Sequence, residues 1–344
     1  DALAALADGQ PHPDLVTGTA AVSGKTVFIF PGQGSQWPAM GQHLIATSPV
    51  FAQHITNCTQ AFAPYTPDWN LTDLLTNPDP DLLERVDIVQ PALFAVMTGL
   101  ATLWQHHGIT PDAVIGHSQG EIAAAYTAGA LTLNDAAKTV ILRAQALTQL
   151  ADTGAMASIP LPPHDLEPHL NNDLHIAAHN SPTTTIISGT PTAIHTLVTT
   201  LHNTGIDART IPVNYASHCP HVEPLQHHLT TALNPLNPQP TTTTFYSTVT
   251  TTPLDTTTLT PDYWYTNLRN PVQLHQTLTR LHTDGYRHYI EISPHPVLLP
   301  TIHQTLDNHP TTIHPTLRRH HGHHFPHALA HTHTHGLTPT TPTT

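Results

Sequence analysis

Asp112-Ala113-Val114-Ile115-Gly116-His117-Ser118-Gln119-Gly120-Glu121-Ile122-Ala123-Ala124-Ala125-Tyr126 is the stretch whose reading decides the fold. A short apolar run, Ala113 to Ile115, breaks at Gly116, and a helix-forming run begins after Gly120, so Ser118 falls on a sharp strand-to-helix turn. Such a turn is a nucleophile elbow, which holds a serine hydroxyl above the end of a buried sheet. A side chain at either glycine would crowd the strained turn, and the helix that begins there aims free N–H groups at developing negative charge. Ser118 is the first candidate nucleophile. The plainer reading of the same residues is a Gly/Ser turn with Ser118 as the helix N-cap.

Outward from the elbow the chain alternates strand and helix, which predicts an α/β fold with a parallel sheet. Lys25 to Phe30 reads as a fully buried strand running into Pro31-Gly32-Gln33-Gly34-Ser35-Gln36-Trp37, a Gly-rich turn that brings backbone N–H groups close to a ligand. It lacks the Lys-Ser/Thr ending of a phosphate loop. The longest helical pattern lies between Leu82 and Gly108, with Pro91 expected in its first turn, and a second runs from an N-cap at about Asn134 to Leu150 and carries Arg143. From about 154 to 213 the order becomes βαββαβ, the signature of a small ferredoxin-like unit inserted into the larger one. The expected division is a linker over 1–24, a large α/β-hydrolase-like subdomain over 25–152 and 214–308, a small subdomain over 153–213, and a linker over 309–344, where the His/Thr/Pro-rich chain loses periodicity.

At 344 residues the chain is long enough for such a pair of subdomains. A net charge of -13 argues against nucleic acid and anionic membranes as partners. No apolar run of about eighteen residues and no basic segment followed by an apolar one is read, so a cytoplasmic protein is expected. Cys58 and Cys219 are too few for a disulfide framework and lack metal-site spacing. The chain opens at Asp1 and both ends read as linkers, as expected of a piece excised from something larger.

A serine nucleophile needs a base, and with 31 histidines spacing does not select one. The clusters His320-His321-Gly322-His323-His324 and His331-Thr332-His333-Thr334-His335 lack the cysteine or carboxylate company of a metal site, and no metal is expected. Cys219 beside His218 is a poor nucleophile–base pair, because neighbours in an extended segment face opposite ways.

Four segments in register carry a resemblance: Phe30-Pro31-Gly32-Gln33-Gly34-Ser35-Gln36, Gly116-His117-Ser118-Gln119-Gly120, Arg143, and Tyr215-Ala216-Ser217-His218. In order and spacing they resemble an acyltransferase domain of a modular type I polyketide synthase, a relative of malonyl-CoA:acyl carrier protein transacylases, over about residues 25 to 308. The resemblance implies that Ser118 is acylated with His218 as its base, that the backbone N–H groups of Gln33 and Gln119 form the oxyanion hole, and that Arg143 holds the free carboxylate of an extender unit. It further implies that the main-chain carbonyl of Asn267 orients His218 and that His117 supports the elbow. The implied partners are acyl-CoA, the phosphopantetheine thiol of an acyl carrier protein, and the neighbouring ketosynthase, with no bound cofactor.

The chemistry of the residues agrees with that implication. A thioester attacked by Ser118 becomes an oxyanion that two backbone donors stabilise, and the acyl-serine then awaits a thiol in a ping-pong reaction. An ordinary histidine base predicts an acid limb at roughly pH 6 to 7. A serine esterase or thioesterase shares the elbow but has no place for Arg143. The segment Tyr215-Ala216-Ser217-His218 resembles that of methylmalonyl-using domains, where malonyl-using ones carry His-Ala-Phe-His; Arg85-Val86-Asp87-Ile88-Val89-Gln90, and Gln119 in place of an aliphatic residue, resemble the same type.

Overall fold

The computed structural model describes residues 2–10, 12, 15–77, 79–319 and 324–340. Among them are nine strands: β1 Lys25–Phe30, β2 Ala113–Gly116, β3 Ala155–Ile159, β4 Leu174–Ser181, β5 Thr184–Gly189, β6 Arg209–Ile211, β7 Thr244–Tyr246, β8 Tyr286–Glu291 and β9 Thr312–Pro315. Five of these form one parallel sheet in the order β7-β2-β1-β8-β9. Because helices cover both faces, β1 reads as an unbroken apolar run, and its alternate side chains enter different cores. Phe28 and Phe30 pack with the helices Val86–His106, Gly120–Ala128 and Leu133–Leu147, while Val27 and Ile29 pack with Leu274–Thr283 and Leu299–Leu306.

The inserted unit is the antiparallel sheet β4-β5-β3-β6, with the βαββαβ order read from the sequence. One face buries Ile194, Leu197 and Leu201 of the helix Pro191–Asn203 against Ala157 and Ile187. The opposite face turns Met156, Ala178 and Ile186 toward the core of the large sheet. Backbone bonds from Val272 N–H to the Ala177 carbonyl and from His179 N–H to the Val272 carbonyl, 2.9 and 2.8 Å, stitch the two units together. The cleft above the elbow is therefore walled by both sheets.

Several local expectations change. Pro91 lies inside the helix Val86–His106, five residues past its start, where it forfeits the bond to the Asp87 carbonyl. Seventeen buried residues along that helix outweigh the loss. The same helix is long and apolar enough to cross a membrane, against the reading that no such run exists, but 89% of its apolar window is buried in the protein as a core helix. The helix carrying Arg143 is capped by Thr132, whose hydroxyl accepts from Asp135 N–H, and not by Asn134. Residues past 308, read as linker, contribute the edge strand β9 and the helix His324–Thr334. The strand signal is hidden because its inward side chains are Thr312 and His314. The expected histidine cluster at 320–323 lies outside the described residues.

Candidate active site

The elbow is built by close approach. A Cβ on Gly116 would strike the backbone of Gly120 and Glu121, and one on Gly120 would strike the carbonyl oxygens of Phe30 and Pro31, so the helix Gly120–Ala128 can seat on β1 and β2 only with glycine at both places. Between them Ser118 takes φ +55°, and His218 takes φ +61°, conformations that cost a non-glycine residue about 1 to 3 kcal/mol and concentrate at functional sites.

These two strained residues meet. His218 Nε2 lies 2.8 Å from Ser118 Oγ, and its Nδ1 lies 2.8 Å from the Asn270 carbonyl oxygen. A carbonyl only accepts, so Nδ1–H donates to it and Nε2 is free to accept the serine proton. The orienting carbonyl is thus Asn270's where the sequence reading put Asn267's, whose carbonyl adds a weaker pull in the same direction. The physical reason is where the helix Pro261–Arg269 stops: Asn270, just beyond its end, is extended and turns its carbonyl to the imidazole. Burial, followed by the nearby charge of Arg143, pushes His218 down to about 3, which keeps the imidazole neutral.

Arg143 is 1% exposed and donates to Gln90 Oε1 at 3.1 Å, Ser118 Oγ at 3.2 Å and Asn267 Oδ1 at 3.5 Å. Among the described residues no carboxylate pairs with it, and its Nε has no partner. Burial pulls the guanidinium down to about 10, still charged at neutral pH. Asn267 is a side-chain bridge: its amide donates to the Ser118 carbonyl and to Glu121 Oε2, 3.3 and 3.0 Å. Glu121 lies wholly buried under the elbow, receiving bonds from Tyr263 and Thr248 as well. Burial raises its carboxyl above the usual range.

The loop after β1 presses on the elbow, with a Cβ on Gly32 placed 3.2 Å from the His117 carbonyl oxygen. Among the described residues the backbone N–H groups of Gln33 and Gln119 have no protein acceptor, and both residues border a cavity of about 300 Å³ over Ser118. The Gln119 side-chain amide is buried there with neither atom partnered among the described residues, an orphan that a polar ligand would satisfy. Tyr215 OH donates to Gln33 Oε1 at 3.2 Å and accepts from Gln90 Nε2, so the segment preceding His218 is tied to the loop after β1 and to the partner of Arg143. Ser217 faces Met156 at 3.5 Å and lines the cavity; Ala216 is buried against Gly154. His117 Nε2 is 2.9 Å from Asn180 Oδ1 on β4, a buried link between elbow and small sheet, and burial lowers its basicity.

Asn270, Asn180 and Glu121 were missed by sequence reading. Asn270 and Asn180 contribute through position alone, while Glu121 stood in the quoted elbow as a charged residue in an otherwise apolar helix. Cys219 is a buried thiol whose pKa burial raises. Among the described residues no group of three or more histidines, cysteines or carboxylates is placed to hold a metal.

An elbow above a parallel sheet, with a neutral histidine beside its serine, defines the class as an α/β fold of the hydrolase type. Within that class the chain belongs to the acyl transferase domain family, which it matches over residues 27–339, in the form carried by modular polyketide synthases. It is 46% identical over 343 residues to polyketide synthase GfsA of Streptomyces halstedii, covering 97% of this chain and 5% of that one. It is 45% identical over 311 residues to the pikromycin polyketide synthase component PikAIII of Streptomyces venezuelae, covering 89% of this chain and 20% of that one. The chain thus spans a fifth or less of the length of these relatives. The acyltransferase domain from module 8 of the salinomycin polyketide synthase superposes with a TM-score of 0.93 at 42% identity, over 98% of this chain and 81% of that one. A loading acyltransferase from the avermectin synthase gives 0.86 at 42% identity, over 90% and 99%.

Proposed function

We propose that this domain takes an extender unit, methylmalonyl in preference to malonyl, from its CoA thioester and passes it through an ester on Ser118 to the phosphopantetheine thiol of an acyl carrier protein. The observation that carries the reading is Arg143, a buried guanidinium 3.2 Å from the candidate nucleophile with no carboxylate paired to it among the described residues. A free carboxylate on the acyl unit supplies the missing partner with bidentate geometry.

In the first half-reaction Ser118 Oγ attacks the thioester carbonyl as His218 Nε2 takes its proton, and the Gln33 and Gln119 N–H groups receive the oxyanion. Collapse expels CoA thiolate, which takes the proton from His218. The carrier thiol then repeats the steps in reverse. Docking of the carboxylate neutralises Arg143, one of the charges that weakens His218, so the base gains strength when a dicarboxylic acyl unit is in place. The preference for methylmalonyl rests on Ser217, small enough to leave room beside Met156 that a phenylalanine ring would fill. One methyl in a fitted pocket discriminates by about 1 to 3 kcal/mol, so the preference is graded.

On this reading the partners are acyl-CoA, the carrier protein and the neighbouring ketosynthase, the setting is cytoplasmic, and the domain needs no cofactor of its own. The test is competition between equal concentrations of methylmalonyl-CoA and malonyl-CoA, read as mass added to the intact protein, followed by addition of carrier protein. A methylmalonyl adduct that moves to the carrier is expected. A dominant malonyl adduct overturns the choice of extender, and release of free acid in place of transfer overturns the acyltransferase reading in favour of a hydrolase.

A further inference from the structure

Glu291 ends β8 with its carboxylate wholly buried, and no part of the mechanism above uses it. Its oxygens are aimed forward along the chain: Oε1 accepts from Val297 N–H at 2.7 Å and Oε2 from Leu298 N–H at 3.0 Å, with the Ser293 hydroxyl 3.1 Å from Oε1. Burial pushes the carboxyl up to about 7 while these donors pull the other way. One buried carboxylate therefore closes the loop Ser293 to Leu298 on itself. The loop is also tied down where the Trp37 indole donates to the Pro294 carbonyl at 3.1 Å and where Arg319 N–H donates to His295 Nδ1 at 3.3 Å.

What the loop carries explains the arrangement. Val297 and Leu298 line the same cavity as Ser118 and His218, and Leu298 packs in the apolar cluster of Met156, Ala178 and Ile186, the small-sheet face that forms the cavity's apolar side. The two residues whose backbones Glu291 grips are those whose side chains shape the acyl cavity. We propose that Glu291 is a positioning residue for substrate selection: its carboxylate fixes the backbone of Val297 and Leu298 and so sets how closely that wall fits the α-substituent of the acyl unit. This rests on the reading that the acyl unit on Ser118 occupies this cavity. Glu291 touches neither substrate nor reacting atoms, so its effect belongs to binding and not to proton transfer.

The experiment compares kcat and KM for methylmalonyl-CoA and malonyl-CoA in the unmodified domain, Glu291→Gln and Glu291→Asp. Glutamine keeps the size but turns an amide donor toward one of the two backbone N–H groups, and aspartate keeps the charge but withdraws it by a methylene. For Glu291→Gln the methylmalonyl-over-malonyl ratio of kcat/KM moves about five-fold toward one, carried in KM, as a loosened contact with one methyl group predicts. Glu291→Asp gives a smaller shift in the same direction and decides the matter where the glutamine variant does not fold. Equal losses for both substrates, or a loss confined to kcat with the ratio unchanged, overturn the proposal. A preference for malonyl in the unmodified domain overturns the extender assignment instead, and leaves the change in ratio to be read as before.

Discussion

Replacing Arg143 with alanine tests the feature that separates this site from an esterase. In the folded protein burial lowers the guanidinium from its ordinary value to about 10, so holding it charged costs about 3 kcal/mol before any substrate binds. That cost is offset in part by three neutral acceptors, Gln90, Ser118 and Asn267, and under the proposed function a substrate carboxylate completes the set. Taking away one member of a buried, hydrogen-bonded charge pair costs about 3 to 5 kcal/mol, because the other charge is left in the same low-dielectric site. Acylation of Ser118 by carboxylate-bearing units should therefore fall by about two to four orders of magnitude in Arg143→Ala. Propionyl-CoA carries no such charge, and its acylation should change by less than about ten-fold. The assay is single-turnover acylation followed by the mass of the intact protein, with methylmalonyl-CoA and propionyl-CoA run in parallel. Arg143→Lys restores a charge but not the fork, and should recover only part of the loss. Equal losses for both thioesters would refute the assignment and reduce Arg143 to a buried support for Gln90 and Asn267.

The pH dependence of acylation departs from that of an ordinary histidine. With His218 pushed down to about 3, kcat/KM should stay flat as pH falls from 8 to 5, and a limb near 6 to 7 would show that the imidazole is more solvated than its burial implies. Stability should nonetheless fall with acid: burial lowers His54 to about 4, His218 to about 3 and His314 further still, so the unfolded chain takes up protons below about 6.5 that the folded chain refuses. The histidines' stabilising contribution is complete above that pH and is lost below it at about 1.4 kcal/mol per unit for each, about 4 kcal/mol per unit together. Glu291, raised to about 7, takes up its proton first in the folded chain and returns about 1.4 kcal/mol per unit between pH 7 and 5, and the raised Glu121 acts in the same sense, so the net loss is smaller; urea unfolding midpoints that do not fall between pH 7 and 5 would contradict this. Tyr215→His with Ser217→Phe should erode the preference for methylmalonyl without reversing it, since Tyr215 also ties Gln33 to Gln90; a full reversal in the competition assay would mean that the two side chains alone set the choice.

The elbow was legible because its signal is local. A strand, two glycines and a helix fix one another within nine residues, and the steric reason, backbone on backbone at Gly116 and Gly120, follows from the turn itself. The small subdomain was legible for a similar reason, its βαββαβ order being written as alternating periods. What escaped were the contacts made by position. No local pattern marks Asn270 as the acceptor for His218, because its role depends on where the helix Pro261–Arg269 ends and on a backbone atom that every residue possesses. Strand β9 escaped because threonine and histidine occupy its inward places, and a code that reads both as polar sees a tail.

The same distinction separates two kinds of residue around this site. On the proposed mechanism Ser118, His218 and Arg143 act through the chemistry of their side chains, and such residues announce themselves by type. Gln90, Asn267 and Glu291 act by holding other groups: Gln90 joins Arg143 to Tyr215, Asn267 joins Arg143 to the elbow and to buried Glu121, and Glu291 holds two backbone N–H groups behind the cavity wall. A buried polar group left unpaired costs about 1 to 3 kcal/mol, so each of these bridges is constrained on both ends at once. The geometry of the charged clamp is consequently not a property of Arg143 alone. It is distributed over a connected set running from the loop after β1 through Tyr215 and Gln90 to the guanidinium, and from there through Asn267 to the base of the elbow. A substitution at Gln90 that removes its amide should then disturb both carboxylate binding and the placement of Tyr215, whereas one at Asn267 should disturb carboxylate binding together with the elbow that carries Ser118.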